Sequence, residues 1–190
     1  MKKLAVIGPL CLMLLCLGCR GSMQVYYINP NFDFSYIKRV AVLPFDNLTQ
    51  ERNAEDILRH LVINELLATE LVEVVVPGEA IATMNSLGIK SVSSLSEKQI
   101  QALGRTLNVQ GVIYGAIEKY EIVKDRNIAE PEVTITMIMA ETTSGSIVWS
   151  VTKTGGEAGF MARHFGAKTD TLSEAVLKVV RDSIRTLFEY

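Results

Sequence analysis

The residues able to do chemistry are few and scattered. All three cysteines, Cys11, Cys16 and Cys19, sit near the amino terminus. The chain beyond them therefore builds no disulfide, thiolate metal site or cysteine nucleophile from its own residues. Two histidines remain. His60 falls on the polar side of a helical stretch, where solvation is the ordinary outcome, and neither it nor His164 has a second histidine at metal spacing. His164 stands in Arg163-His164-Phe165, within a glycine-rich, mixed-charge stretch over residues 155–170 that reads as a loop. Paired with Asp170 or Glu157 it would make a hydrolase; the favoured reading is a loop that packs Phe160 and Phe165 on the domain or on a partner. Phe160, Arg163, His164 and Phe165 are accordingly the candidate partner-binding loop, and neither a catalytic residue nor a metal site is expected. Gly155-Gly156 lacks the lysine and the following helix of a phosphate cradle, so nucleotide binding has no support in the sequence.

The amino terminus carries a different chemistry. Lys2-Lys3 precedes an apolar stretch, residues 4–17, the layout of a secretion signal. That stretch is shorter than the roughly 18–20 residues a spanning helix needs, and Pro9 weakens it further. It ends at Leu17-Gly18-Cys19, which resembles the lipobox of bacterial lipoproteins. The resemblance implies cleavage between Gly18 and Cys19, a diacylglycerol on the Cys19 thiol and acylation of the new terminus. Several chains together hold firmly, since burial is worth about 0.8 kcal/mol per methylene. Arg20, in place of aspartate, implies by the same resemblance sorting to the outer membrane, with the protein facing the periplasm. The expected organisation is a signal peptide (1–18), a lipidated tether (19–36) containing one apolar segment that docks on the domain, and a single domain (37–190). Apart from the covalent lipid no cofactor is expected.

Loss of Lys2 and Lys3 with the signal takes the net charge from −2 to −4. A slightly acidic body without a basic cluster excludes nucleic acid and a polybasic membrane patch as expectations. With 48% hydrophobic residues, the chain can build an ordinary apolar core.

Hydrophobic spacing orders the rest. Residues 39–45 read as a strand buried on both faces. Residues 51–71 read as a helix, with Ala54, Ile57, Leu58, Leu61, Val62 and Ala68 on one face and Glu65 reaching solvent or a partner. A strand over 72–76, stopped by Pro77-Gly78, precedes a short helix ended by Gly88. Ser96 and Gln99 form a capping box, with Leu95 and Ile100 as its staple, for a helix reaching Asn108. Three alternating runs follow, around Val112–Ile117, Val133–Met139 and Ile147–Val151, the last two joined by a turn at Thr143-Ser144-Gly145. A final helix from about residue 171 buries Val176, Val180, Ile184 and Leu187. This order predicts an α/β (α+β) domain, a mixed sheet of about five strands with helices packed against it.

The segment Val40-Ala41-Val42-Leu43-Pro44-Phe45 with Asn47, the segment Leu103-Gly104-Arg105-Thr106-Leu107-Asn108-Val109 leading into Val112-Ile113-Tyr114-Gly115, and the stretch from Met137 through Thr143-Ser144-Gly145 to Trp149 together resemble the CsgG-like lipoprotein superfamily. That group includes the LpoB-like activators of penicillin-binding proteins and the amino-terminal domain of TolB-type proteins. These motifs are core and turn residues, which identify a fold better than an activity. The resemblance implies a non-enzymatic envelope protein that binds other envelope proteins, with homo-oligomers open and no small-molecule substrate. The alternative it carries is a ring-forming component of a secretion channel. Membrane-spanning strands would need roughly 9 to 11 alternating residues. Residues 123–131 read as a short charged connection and residues 155–170 do not alternate, so a pore built by this chain alone is not expected.

Overall fold

The alternation that begins at Gly111 produces the longest strand of the fold, and the other elements are arranged around it. In the computed structural model, residues 24–125, 128–156 and 170–188 are described. Among them seven strands form one mixed sheet: β1 (Gln24–Ile28), β2 (Arg39–Val42), β3 (Asp46–Asn47), β4 (Glu73–Val74), β5 (Gly111–Asp125), β6 (Ile128–Glu141) and β7 (Ile147–Gly155). Their spatial order is β1-β7-β6-β5-β2-β4, with β3 also pairing β5. β2, β3 and β4 join in parallel, whereas β5, β6, β7 and β1 are successively antiparallel. The sheet is open, and the four described helices pack on it: α1 (Ala54–Ala68), α2 (Pro77–Ser86), α3 (Glu97–Leu107) and α4 (Leu172–Phe188).

Period-two alternation divides the core in two. Val40, Val42, Ile113, Ile117, Ile135 and Trp149 face one side and meet the buried faces of α1 and α4. Ala41, Leu43, Val112 and Tyr114 face the other and meet α2 and α3. A strand covered on both faces is apolar nearly throughout, as the run in β2 anticipated. Each fully buried leucine, such as Leu58, Leu66 and Leu103, contributes about 1.5–3 kcal/mol.

The helix signals locate their elements well. Ser96 Oγ accepts from the Gln99 N–H while Gln99 Oε1 accepts from the Ser96 N–H, closing the expected box on α3. Thr171 and Glu174 do the same for α4, at 3.2 and 2.7 Å. Asn108 ends α3 in the left-handed conformation, and Gly88 follows α2 with φ of 69°. Pro77, read as a strand stop, is the first residue of α2, where its missing N–H costs nothing.

Three expectations shift. The buried stripe of α1 follows Ala54, Leu58, Val62 and Leu66, flanked by Arg59 and Ile63, so Ile57 and Ala68 are exposed. The helix lies between the sheet and α4, which selects rows spaced by four residues. Ile147, expected to share the face of Trp149, is exposed because a bulge at the Met139/Ala140 register shift lets both Val148 and Trp149 turn inward. The sheet has two more strands than expected. One is the two-residue β3, and the other is β1, the segment expected to dock.

Trp149 anchors α4 by more than contact area: its indole N–H donates to Thr186 Oγ1 at 3.0 Å, and that hydroxyl donates in turn to Ser183 O at 2.7 Å. Thr186→Val removes both bonds and strands a buried donor. It should cost about 1–3 kcal/mol, while Thr186→Ser stays close to the parent; urea denaturation midpoints measure both. Gly104 lies where an added Cβ would come within 2.2 Å of Thr142 Cβ. Gly104→Ala should therefore destabilise by about 1–3 kcal/mol in the same assay.

Candidate functional site

Register places the amino terminus at one particular end of the sheet. β1 runs against β7 with Gln24 opposite Lys153, Lys153 is opposite Ile135, and Ile135 is opposite Ile117. These four positions form one level across the sheet. The chain reaches that level from Cys19 in five residues. Past Val133, where β7 ends, β5 and β6 continue as a two-stranded arm, paired as far as Asp125 opposite Ile128. β7 stops at Gly155, opposite Val133. Gly156 lies at the same end, its would-be Cβ 3.3 Å from Ala175 in the first turn of α4. Gln24, the arm, Gly156 and the first turn of α4 thus lie toward one end of the fold.

The arm corrects the reading of residues 123–131 as a short connection. β5 was expected to end near Ile117, yet it continues through Tyr120, Ile122 and Val123 to Asp125. Charged residues at 118, 119, 121 and 124 obscured the alternation, and Pro131 argued against a strand. Pro131 is tolerated because β6 has lost its β7 neighbour at that level and a missing N–H is accommodated. A bulge at the register shift between Ile117 and Lys119 marks where the arm leaves the sheet.

Charges on the arm are paired locally. Lys119 Nζ lies 2.5 Å from Glu132 Oε1, and the hydrogen bond to Glu132 followed by its charge raises the lysine pKa. Glu118 accepts from Thr136 Oγ1 at 2.7 Å. Behind it the hydroxyls of Thr136 and Thr152, and of Thr134 and Thr154, bond across the strands at 2.8 and 2.9 Å. Further out, Ile122 is 57% and Val123 39% exposed.

Cys19 and Gly18, together with the loop candidates Phe160, Arg163, His164 and Phe165, lie outside the described residues, as does Glu157. His60 is exposed on α1, and Asp170 is exposed just before α4. Glu65 reaches a partner, Arg181 on α4, in a two-pronged pair at 3.0 and 3.2 Å. Among the described residues no group of three or more His, Cys, Asp or Glu side chains is placed to hold a metal ion. No described helix is long and apolar enough to cross a membrane. A groove of about 370 Å³ between Pro44, Asp46, Met84, Asn85 and Lys90 is open, with a lining of mixed polar and apolar character.

At the opposite end, Glu141 has the surroundings that often mark a working acid. Its carboxylate is buried, which pushes the pKa up, but the Ser144 and Thr143 N–H groups and hydroxyls outweigh burial and hold it below the ordinary value. This work is structural, because the donors belong to the 142–146 turn that closes β6 onto β7.

Among the described residues the fold is an open mixed sheet with helices packed against it and a protruding β5–β6 hairpin. The fold is similar to that of a PelC dodecamer from Paraburkholderia phytofirmans, at TM-score 0.62 and 20% identity, over 88% of this chain and 97% of that one. It is shared also with lipoprotein GNA1162 from Neisseria meningitidis, at TM-score 0.55 and 13% identity, over 80% of this chain and 99% of that one. The carboxy-terminal domain of LpoB from Salmonella enterica aligns at TM-score 0.47 and 16% identity, over 63% of this chain and 83% of that one, too loosely to carry an argument. No family model matches the chain, and no curated protein matches it.

A carboxyl with a depressed folded pKa stabilises the fold above its unfolded value, and that contribution disappears as pH falls through the folded one. The parent should therefore lose stability on acidification below the ordinary 4.5 of a glutamate, and Glu141→Gln should lack that portion of the loss while being less stable at pH 7. Urea midpoints against pH measure the difference.

Proposed function

We propose that the protein is a bacterial lipoprotein, lipidated on Cys19 and held at the periplasmic face of the outer membrane, that works in envelope assembly by binding proteins and not by catalysis. The observation that carries this reading is the docking of β1: the chain enters the sheet five residues after the lipobox-like cysteine, so an acyl anchor there would hold the domain close to the bilayer. The likeness in fold to a lipoprotein, GNA1162, is in keeping with it. The polar side chains with defined partners serve turns, caps and inter-element pairs, which leaves surfaces as the means of action. A tether of this length favours a partner within or beside the membrane over one reached across the periplasm.

A second reading, assembly into a ring, is favoured by one observation. Both sheet edges expose apolar side chains: Val25, Tyr26 and Tyr27 on β1, and Leu67, Leu71 and Val76 around β4. Two different apolar edges suit a head-to-tail contact between copies, which closes into a ring when the rotation permits. The similarity to a dodecameric PelC agrees with this.

Cys19→Ala should abolish incorporation of labelled palmitate, leave the signal peptide uncleaved and move the protein out of the outer-membrane fraction. Unchanged fractionation together with unchanged fatty-acid labelling would overturn the lipoprotein reading. Light scattering of the purified domain separates ring from monomer.

A further inference from the structure

The chain reverses its strand order around β2. From β2 it crosses by α1 to β4 on one side, and from β4 it returns by α2 and α3 to β5 on the other. The three strands are parallel, and the two crossovers lie on opposite faces of the sheet. Open α/β sheets bind their ligands beyond the carboxyl ends of the strands at such a reversal, because the connections part there and leave a crevice. The groove of about 370 Å³ is that crevice. One wall is Pro44 and Asp46, just past β2, and the other is the last turn of α2 with the segment 89–92 that follows it. Its volume falls within the ~300–1,000 Å³ of small-molecule sites.

The lining sets the chemistry of the occupant. Met84, Ile89 and Val92 bring buried apolar side chains to the groove. Asp46 and Lys90 come to it from the two different walls. Among the described residues neither side chain takes part in an ion pair or a hydrogen bond, with each other or with any other group. The N–H groups of Lys90, Ser91 and Val92 likewise make no backbone hydrogen bond among the described residues, so donors are available beside the Lys90 ammonium. An uncharged occupant would cover an acid and a base without pairing either, which is costly. A ligand of one sign would bring like charge to one of the two. A molecule that carries both signs meets each with its opposite. We propose that the groove binds a small zwitterion with an apolar body, the chemistry of a free short peptide. Its ammonium pairs with Asp46, and its carboxylate pairs with Lys90 and the N–H groups beside it. This site is separate from the apolar sheet edges and does not depend on lipidation.

Calorimetric titration of the full-length protein in detergent micelles with the dipeptides Ala-Leu, Leu-Leu and Leu-Phe tests the proposal. At least one should bind saturably with one site per chain. For that dipeptide, acetylating the amino group or amidating the carboxyl group should each weaken binding about tenfold or more. Asp46→Asn should weaken the free dipeptide by the same factor and leave the acetylated form as the parent binds it. Lys90→Gln should do the same for the amidated form. A fold damaged by either substitution would weaken every form alike, so the crossed pattern assigns each charge to its residue. Should a variant fail to fold, the free and capped dipeptides on the parent protein decide alone. Absence of saturable heat with all three dipeptides up to about 10 mM overturns the proposal. Capped forms that bind as well as the free dipeptide overturn it too, as do folded variants that bind every form as the parent does.

Discussion

The antiparallel ladder between β5 and β6 is the constraint on which the rest depends. It carries the sheet from Gly111 opposite Glu141 to Asp125 opposite Ile128. On one side β5 receives β2 and β3 in parallel, and on the other β6 receives β7 and through it β1. Gly115 enforces the close approach of the two strands, because a Cβ there would lie 1.9 Å from Thr136 O. Both cores hang on β5, with Ile113 and Ile117 turned toward α1 and α4 and Val112 and Tyr114 toward α2 and α3. Losing its register would invert both faces together. The ladder also outruns its neighbours, and that surplus length becomes the arm.

Helix α4 couples the far edge of the sheet to this spine. Lys153 on β7 lies 2.9 Å from Asp182, with the lysine side chain 8% exposed, and Trp149 donates to Thr186 one turn further on. β1 pairs with the same strand that carries Lys153 and Trp149. The amino-terminal strand is thus fastened to a rigid β7–α4 unit. A pull on the chain before Gln24 would be resisted by the backbone ladder of β1 and by the packing behind β7.

Much of this was legible in the residues, and the failures have physical causes. Signals that act over a few residues were read well: the Ser96–Gln99 box, Gly88 after α2, and the Thr143-Ser144-Gly145 turn each specify their own local bonds. The doubly buried run in β2 was legible for the same reason, since a strand between two helix layers has no polar face to show. What depended on tertiary register was not. The tilt of the α1 face is set by α4, more than a hundred residues away, and the inward turn of both Val148 and Trp149 is set by a bulge opposite Met139 and Ala140. The arm was missed because charges at 118, 119, 121 and 124 and the bulge between Ile117 and Lys119 break the period of two, so Glu118 to Lys124 looks like loop until its partner strand is known. The arrangement of the candidate site was illegible in the same way: nothing local in Gln24–Ile28 says that it lies against β7 with its first residue toward the arm.

Several acidic groups of the fold are tied into its own turns and inter-element pairs. An acid or base that works on a substrate needs a free lone pair or proton facing a cleft. Glu141 spends its oxygens on a turn, Glu65 on Arg181, Glu132 on Lys119, and Glu118 on a hydroxyl that is itself tied to Thr152. Arg59 is the exception: its side chain is 9% exposed, it pairs with Asp56 at 2.8 Å, and its Nε and Nη1 have no hydrogen-bond partner among the described residues. It stands on the second turn of α1, buried by its neighbours, with Glu55 3.6 Å from its Nε. Among the exposed apolar side chains, Val25, Tyr26 and Tyr27 lie on the β1 edge, Leu67, Leu71 and Val76 around β4, and Ile122 and Val123 on the arm.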